Sequence, residues 1–117
     1  MMVEEQLDLN LCPARAYPSP ESVKGRVLGA LIRGERLTHK DCWLRFGSSR
    51  LSHHVYELRR SGWPVSMEEI NVTTSDAGRT AVIGLYSLPA DAIRQAGEGG
   101  QDYSAACLRA ERGRRAA

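Results

Sequence analysis

The apolar residues change period at one place, Gly62-Trp63-Pro64, and that change limits the folds open to this chain. Before it, apolar positions recur every three or four residues, the period of an α-helix packed on one side. Val23, Val27, Leu28 and Leu31 follow Ser22, a good N-cap, and predict a helix over Val23 to Arg33 that stops at Gly34. Thr38 and Asp41 have capping-box spacing, so a short second helix is expected to place His39, Cys42, Trp43 and Phe46 on one face and to end at Gly47. Ser48 or Ser49 is expected to cap a third helix, residues 49–61, with Leu51, Val55 and Leu58 inward and Gly62 at its end. After Pro64 the pattern alternates. Val65 to Val72, with Glu68-Glu69 read as a bulge, and Thr80 to Leu88 predict two strands around the turn signal Asp76-Ala77-Gly78.

The flanks carry weaker signals. Residues 1–21, with Pro13, Pro18 and Pro20 and no sustained period, are expected to form a flexible arm. Residues 22–96 form the predicted domain, which closes with a short helical piece over Ala90 to Ala96. Residues 97–117 are expected to be a Gly-rich linker (Gly97 to Gly100) followed by a basic helical tail over Asp102 to Arg112. In that tail Tyr103, Ala106, Cys107 and Ala110 share one stripe after Asp102. A helix this short is marginal alone in water, so the stripe is expected to dock. A homodimer contact is the predicted use; docking on the first helix or disorder is the alternative.

A chain of 117 residues holds about one domain, which leaves no room for a second, catalytic one. No apolar run approaches a membrane span, and Met1 to Ala30 lacks the layout of a signal peptide, so a cytoplasmic protein without membrane contact is expected. Cys12, Cys42 and Cys107 show neither CxxC nor regular spacing, which predicts no disulfide framework and no metal site, Cys42 instead packing beside Trp43 and Phe46. No nucleophile-elbow, zincin or Walker motif occurs, so no enzyme and no cofactor are expected. The net charge of +2 hides a segregation. Residues 22–60 hold nine Lys/Arg against Glu35, Asp41 and Glu57; residues 109–117 hold four against Glu111; the rest of the chain is acidic. Such concentration is expected of a surface that meets a polyanion.

Three helices followed by a hairpin is the order of a winged helix-turn-helix, an α+β fold whose third helix enters the DNA major groove beside the hairpin wing. Opposite Leu51, Val55 and Leu58, a helical wheel places Ser49, His53, Tyr56 and Arg60, flanked by Arg50 and Glu57. Arg50 can pair with guanine through two bonds, while Ser48, Ser49 and the amides of the helix start suit a phosphate. His54 and, at the wing tip, Arg79 complete the predicted set of contacts to double-stranded DNA. Arg109, Arg112, Arg114 and Arg115 have the chemistry to grip phosphates, but a solvated charge run is the commoner explanation of such a tail.

The run from Leu37 to Val65 also resembles a family. It has a Thr-capped helix, the aromatic-Gly turn Phe46-Gly47, the start Arg50-Leu51, the sequence Glu57-Leu58-Arg59, and then Gly62, Pro64 and Val65, with Tyr86-Ser87-Leu88 closing the wing. It looks like the small helix-turn-helix proteins of phages and prophages, over Val23 to Leu88. The paired His53-His54 and Trp63 depart from that pattern. The resemblance implies a winged helix that binds DNA as a phage transcription regulator or accessory factor. The competing class is a small module that binds a host protein through Trp63, Tyr56 or Glu68-Glu69.

Overall fold

The computed structural model describes residues 15–74 and 78–116, with side chains as far as residue 113. Three helices come first: α1 (Val23–Ile32), α2 (His39–Phe46) and α3 (Leu51–Arg60). Two antiparallel strands, β1 (Ser66–Thr73) and β2 (Thr80–Ser87), form a hairpin, and α4 (Ala90–Ala116) closes the chain. The fold is therefore α+β.

Each boundary has a local cause. Ser22 accepts the Gly25 amide at the start of α1. Thr38 and Asp41 complete the reciprocal capping box of α2, and Gly47, at φ 69°, ends it in the left-handed region that favours glycine. α3 departs from expectation at its start: neither Ser48 nor Ser49 caps it. Arg50 occupies the N-cap without a side-chain bond, and Ser48, two residues before it, accepts the Arg50 amide with its Oγ instead of an amide of the first helical turn. The hairpin register runs unbroken from Ser66↔Ser87 to Thr73↔Thr80, so Glu68-Glu69 is not a bulge but ordinary paired strand. The turn residues Asp76 and Ala77 lie outside the described residues.

Residues Gly25 to Ile32 of α1 are all buried, which makes α1 the central element. Its Val27, Leu28 and Leu31 join Cys42, Phe46, Leu51, Val55, Leu58, Val65 and Leu88 in one core. The hairpin is attached by a short feature that the sequence does not announce: Leu37 and Tyr86 exchange two backbone hydrogen bonds, each 2.8 Å. Arg59 Nε also donates to Val65 O at 3.0 Å, fixing the end of α3 to the entry of β1.

Both flanks differ from the sequence reading. Gly97 to Gly100 is not a linker: residues 98–100 are helical, and α4 is only broken at Gly97, which adopts φ 60° and ψ −151°. Gly100 is buried, and a Cβ there would stand 2.4 Å from Ala96 Cβ, so close packing explains this glycine. The apolar stripe expected to hold a second copy is turned onto α1 instead. Cys107 Sγ donates to Gly25 O at 3.2 Å, Tyr103 Oη donates to Pro18 O at 2.6 Å, and Ala106 and Ala110 are half-buried beside them. Gly29 permits the approach, since a Cβ there would lie 2.5 Å from Cys107 Cβ.

The arm is likewise ordered where it is described. From Arg15 it crosses the domain: Ala16 N donates to Ser61 O, Trp63 Nε1 donates to Ala16 O at 2.9 Å, and the Tyr17 ring meets Trp63 and Tyr103. Trp63 is consequently 1% exposed and offers nothing to a partner. Residues 1–14 of the predicted arm lie outside the described residues.

An ionic cluster around the buried Glu111 ties α4 to the helices. Arg45, in the last turn of α2, donates from Nε and Nη2 to the two carboxylate oxygens of Glu111, both at 3.2 Å. It also pairs with Glu35, which in turn accepts Arg33 Nε at 3.0 Å. Arg33 Nη1 bonds Ser104 O at 3.0 Å, and Ser104 Oγ donates to Gly29 O. Glu111 thus has its charge met although it is only 2% exposed.

Candidate functional site

α3 is amphipathic in fact as in pattern. Leu51, Val55 and Leu58 are buried against the core, which turns the other side of the helix to solvent. Ser49, Arg50, His53, Tyr56 and Arg60 are all exposed, Tyr56 by 57%. The Arg60 guanidinium lies 5.9 Å from the Tyr56 ring centroid, so the phenol and the cation form one ledge at the C-terminal end of the face.

The N-terminal end is organised differently. Ser48 and His54 are half-buried and meet each other, Oγ to Nε2 at 3.2 Å, while Ser48 also receives the Arg50 amide. These two therefore shape the turn before α3 more than they present themselves outward. Burial holds the His54 imidazole below its usual pKa, and the positive charges of His53, Arg50 and Lys24 add to the effect. His53 extends outward, 3.7 Å from Glu57, and Glu57 accepts Lys24 Nζ of α1 at 3.0 Å. That bond holds the Glu57 carboxyl below its ordinary range. It is the acid flanking an otherwise neutral or cationic face, and Lys24 offsets its charge.

The hairpin brings a second cationic group into view. Arg79 is exposed just before β2, and its carbonyl accepts both the amide and the hydroxyl of Thr74, at 2.8 and 3.1 Å, which squares the described end of the hairpin. Between the hairpin and the start of α2 runs a groove lined by Thr38, His39, Lys40, Val72, Thr73 and Ile83. His39 and Lys40 are exposed at its rim. The sequence reading passes over both as site residues, although the Thr38–Asp41 capping box fixes the first turn of α2 and Cys42 and Phe46 mark its inner side.

The second helix holds a further correction. Cys42 and Phe46 are buried as expected, but Trp43 is 59% exposed and Leu44 69%. In an eight-residue helix Trp43 stands about 100° round from Cys42, so the spacing alone cannot tell a core face from its margin. Burial raises the Cys42 thiol pKa, as befits a thiol packed as a small hydrophobe. Among the described residues no three His, Cys, Asp or Glu side chains come together as a metal would require. No described helix is long and apolar enough to cross a membrane.

No protein-family model, curated protein or solved structure matches this chain.

Proposed function

We propose that the three helices and the hairpin act as a winged helix-turn-helix that binds duplex DNA, with α3 in the major groove and the hairpin as the wing. The observation that carries this reading is the outward face of α3: donors at Ser49, Arg50, His53 and Arg60, with Tyr56 among them, are backed by a fully buried seam. A rigid helix with short and long donors along its free side is what base edges and phosphates require. The exposed Arg79 at the hairpin, and the exposed Lys40 at the start of α2, add positive charge on neighbouring elements. Regulation of transcription is the use that suits such a small reader.

Arg50 stands at the N-cap, where a side chain reaches base edges before the backbone does. Arg50→Ala is expected to weaken binding by about 1–3 kcal/mol if it pairs with a guanine. Fluorescence anisotropy of a labelled duplex titrated with both proteins at low salt measures this. Equal affinities would remove Arg50 from the interface, and negligible affinity of both would end the reading.

The exposure of Trp43 and Leu44 favours one second reading, a protein partner docked on α2. In that case the surface is this pair and not Trp63. Trp43→Ala would then abolish association with the partner while leaving DNA affinity as it was.

A further inference from the structure

We infer that the outer edge of β1 is a dimer interface, on which a second copy of the chain lays its own β1. The two strands run antiparallel about a two-fold axis at Ile70, so that two hairpins become one four-stranded sheet. This interface goes beyond the DNA-binding reading and does not rest on it.

A two-stranded sheet has two outer edges, and here they differ. On β2, Leu37 takes both backbone groups of Tyr86. That contact fixes the phase of the ladder, because in an antiparallel pair a residue that points its N–H and C=O outward stands opposite another that does the same. Tyr86 is paired with Met67, so Met67, Glu69, Asn71 and Thr73 turn their backbone groups away from β2. The Thr74 amide bonded to Arg79 O agrees with this phase. Among the described residues, no backbone group meets the outward row of β1. The edge is also long and flat: its eight residues include no proline and no lysine, and its register with β2 has no bulge. A hairpin with only two strands is marginal in water, and along β1 only Ile70 and Val72 are half-buried.

The side chains select a second copy as the occupant, because the row is complementary to itself. Outward residues must pair with outward residues, and a two-fold axis at Ile70 sets Met67 against Thr73 and Glu69 against Asn71, each twice. All four outward residues are then used. The Glu69 carboxylate, which has no ion-pair partner among the described residues, faces the amide of Asn71, which can donate to it. An axis at Glu69 would instead oppose two carboxylates, and an axis at Asn71 would leave Met67 without a partner. Glu68 comes opposite Val72, but its carboxylate is drawn across the sheet to Arg36 Nη2 at 3.4 Å. On that same face Ile70 meets its own copy at the axis, next to Ile83 of β2.

The test uses the full chain in sedimentation velocity over rising concentration. Wild type is expected to pass from monomer to dimer. Asn71→Pro should stay monomeric, since proline there removes an outward N–H and leaves the bonds to β2 in place. Val82→Pro makes the same change on the outward row of β2 and should dimerise as wild type does. Circular dichroism of both variants checks that they fold. The register is read by cysteine substitution without proline. Ile70→Cys should form a disulfide-linked dimer under mild oxidation, its two Cα atoms standing about 4.5 Å apart across a non-hydrogen-bonded pair. Val72→Cys, about 13 Å from its copy at roughly 3.3 Å per residue, should crosslink no more than wild type. A wild type that stays monomeric at the highest concentration, an Asn71→Pro dimer as tight as that of wild type, or equal crosslinking at positions 70 and 72 overturns the interface.

Discussion

Replacing Glu111 with alanine is expected to lower the unfolding free energy by about 3 kcal/mol, although the residue lies six positions before the last one given. The reason is the position of the charge. Its carboxylate is 2% exposed and receives two bonds from Arg45, so its removal leaves a partly buried guanidinium with Glu35 alone. Losing one member of a buried pair costs roughly 3–5 kcal/mol, and the lower end applies because the Arg45 side chain is still 26% exposed. Urea unfolding of both proteins measures the difference. A change under about 1 kcal/mol would mean that α4 is only loosely applied to the helices. The double variant Arg45→Met/Glu111→Met separates the cause: with both charges gone it should recover much of the loss, whereas a purely steric role for Glu111 would leave it as unstable.

The same cluster gives a dependence on pH. For Glu35, burial pushes the pKa up, but hydrogen bonds from Arg45 and Arg33 outweigh it, and the folded pKa lies below the ordinary 4.5. A group with a depressed folded pKa stabilises fully above its unfolded value, and that stabilisation is lost as pH falls through the folded one. Stability should therefore decline below pH 4.5, and Glu35→Gln should flatten that decline. An identical acid slope in the variant would place the decline in other carboxylates.

The second large effect is at Trp63. Trp63→Ala should cost about 3–5 kcal/mol, the usual range for emptying a large aromatic site in a core. Its ring is 1% exposed, sits edge-on to Tyr17 at 5.3 Å between centroids, and lies under the Arg15 guanidinium at 5.2 Å. The indole N–H donates to Ala16 O, so Trp63→Phe should fill most of the space yet still lose about 1 kcal/mol by leaving that carbonyl without its donor. Had Trp63 been a partner contact on the surface, alanine there would be nearly neutral for folding. Denaturant titration decides between the two, and a neutral result would contradict the packing of residues 15–17 on the domain.

The legible and illegible parts of this fold divide along physical lines. Thr38 with Asp41, Gly47, Gly62 and the spacing of Leu51, Val55 and Leu58 are local signals whose effect is confined to a turn or a helix face, and the structure reproduces them. The inward seam of α3 fixes its outward face by geometry, so His53, Tyr56 and Arg60 are exposed where the wheel puts them, while Ser49, also exposed, lies in the bend before the helix. What the sequence does not reveal depends on distant partners. Gly97 to Gly100 has the composition of a linker, but α4 gains enough by docking on the Gly25–Gly29 side of α1 to make most of that stretch helical. Ser48 is diverted from capping by His54 and the Arg50 amide. Trp63 is buried by an N-terminal segment whose prolines suggested only an arm. The Arg45–Glu111 clamp joins residues 66 positions apart, and no local pattern marks it.

The claim at the centre of this account is that the outer face of α3 meets duplex DNA. Backbone amide spectra of the isotope-labelled chain, recorded while a short duplex is added at low salt, test it residue by residue. The account predicts that the largest shifts fall on residues 48–60 and around Arg79, with smaller ones at His39 and Lys40, and that they reverse when salt is raised. Shifts confined to Trp43, Leu44 and their neighbours, or a spectrum that the duplex leaves unchanged, would contradict it.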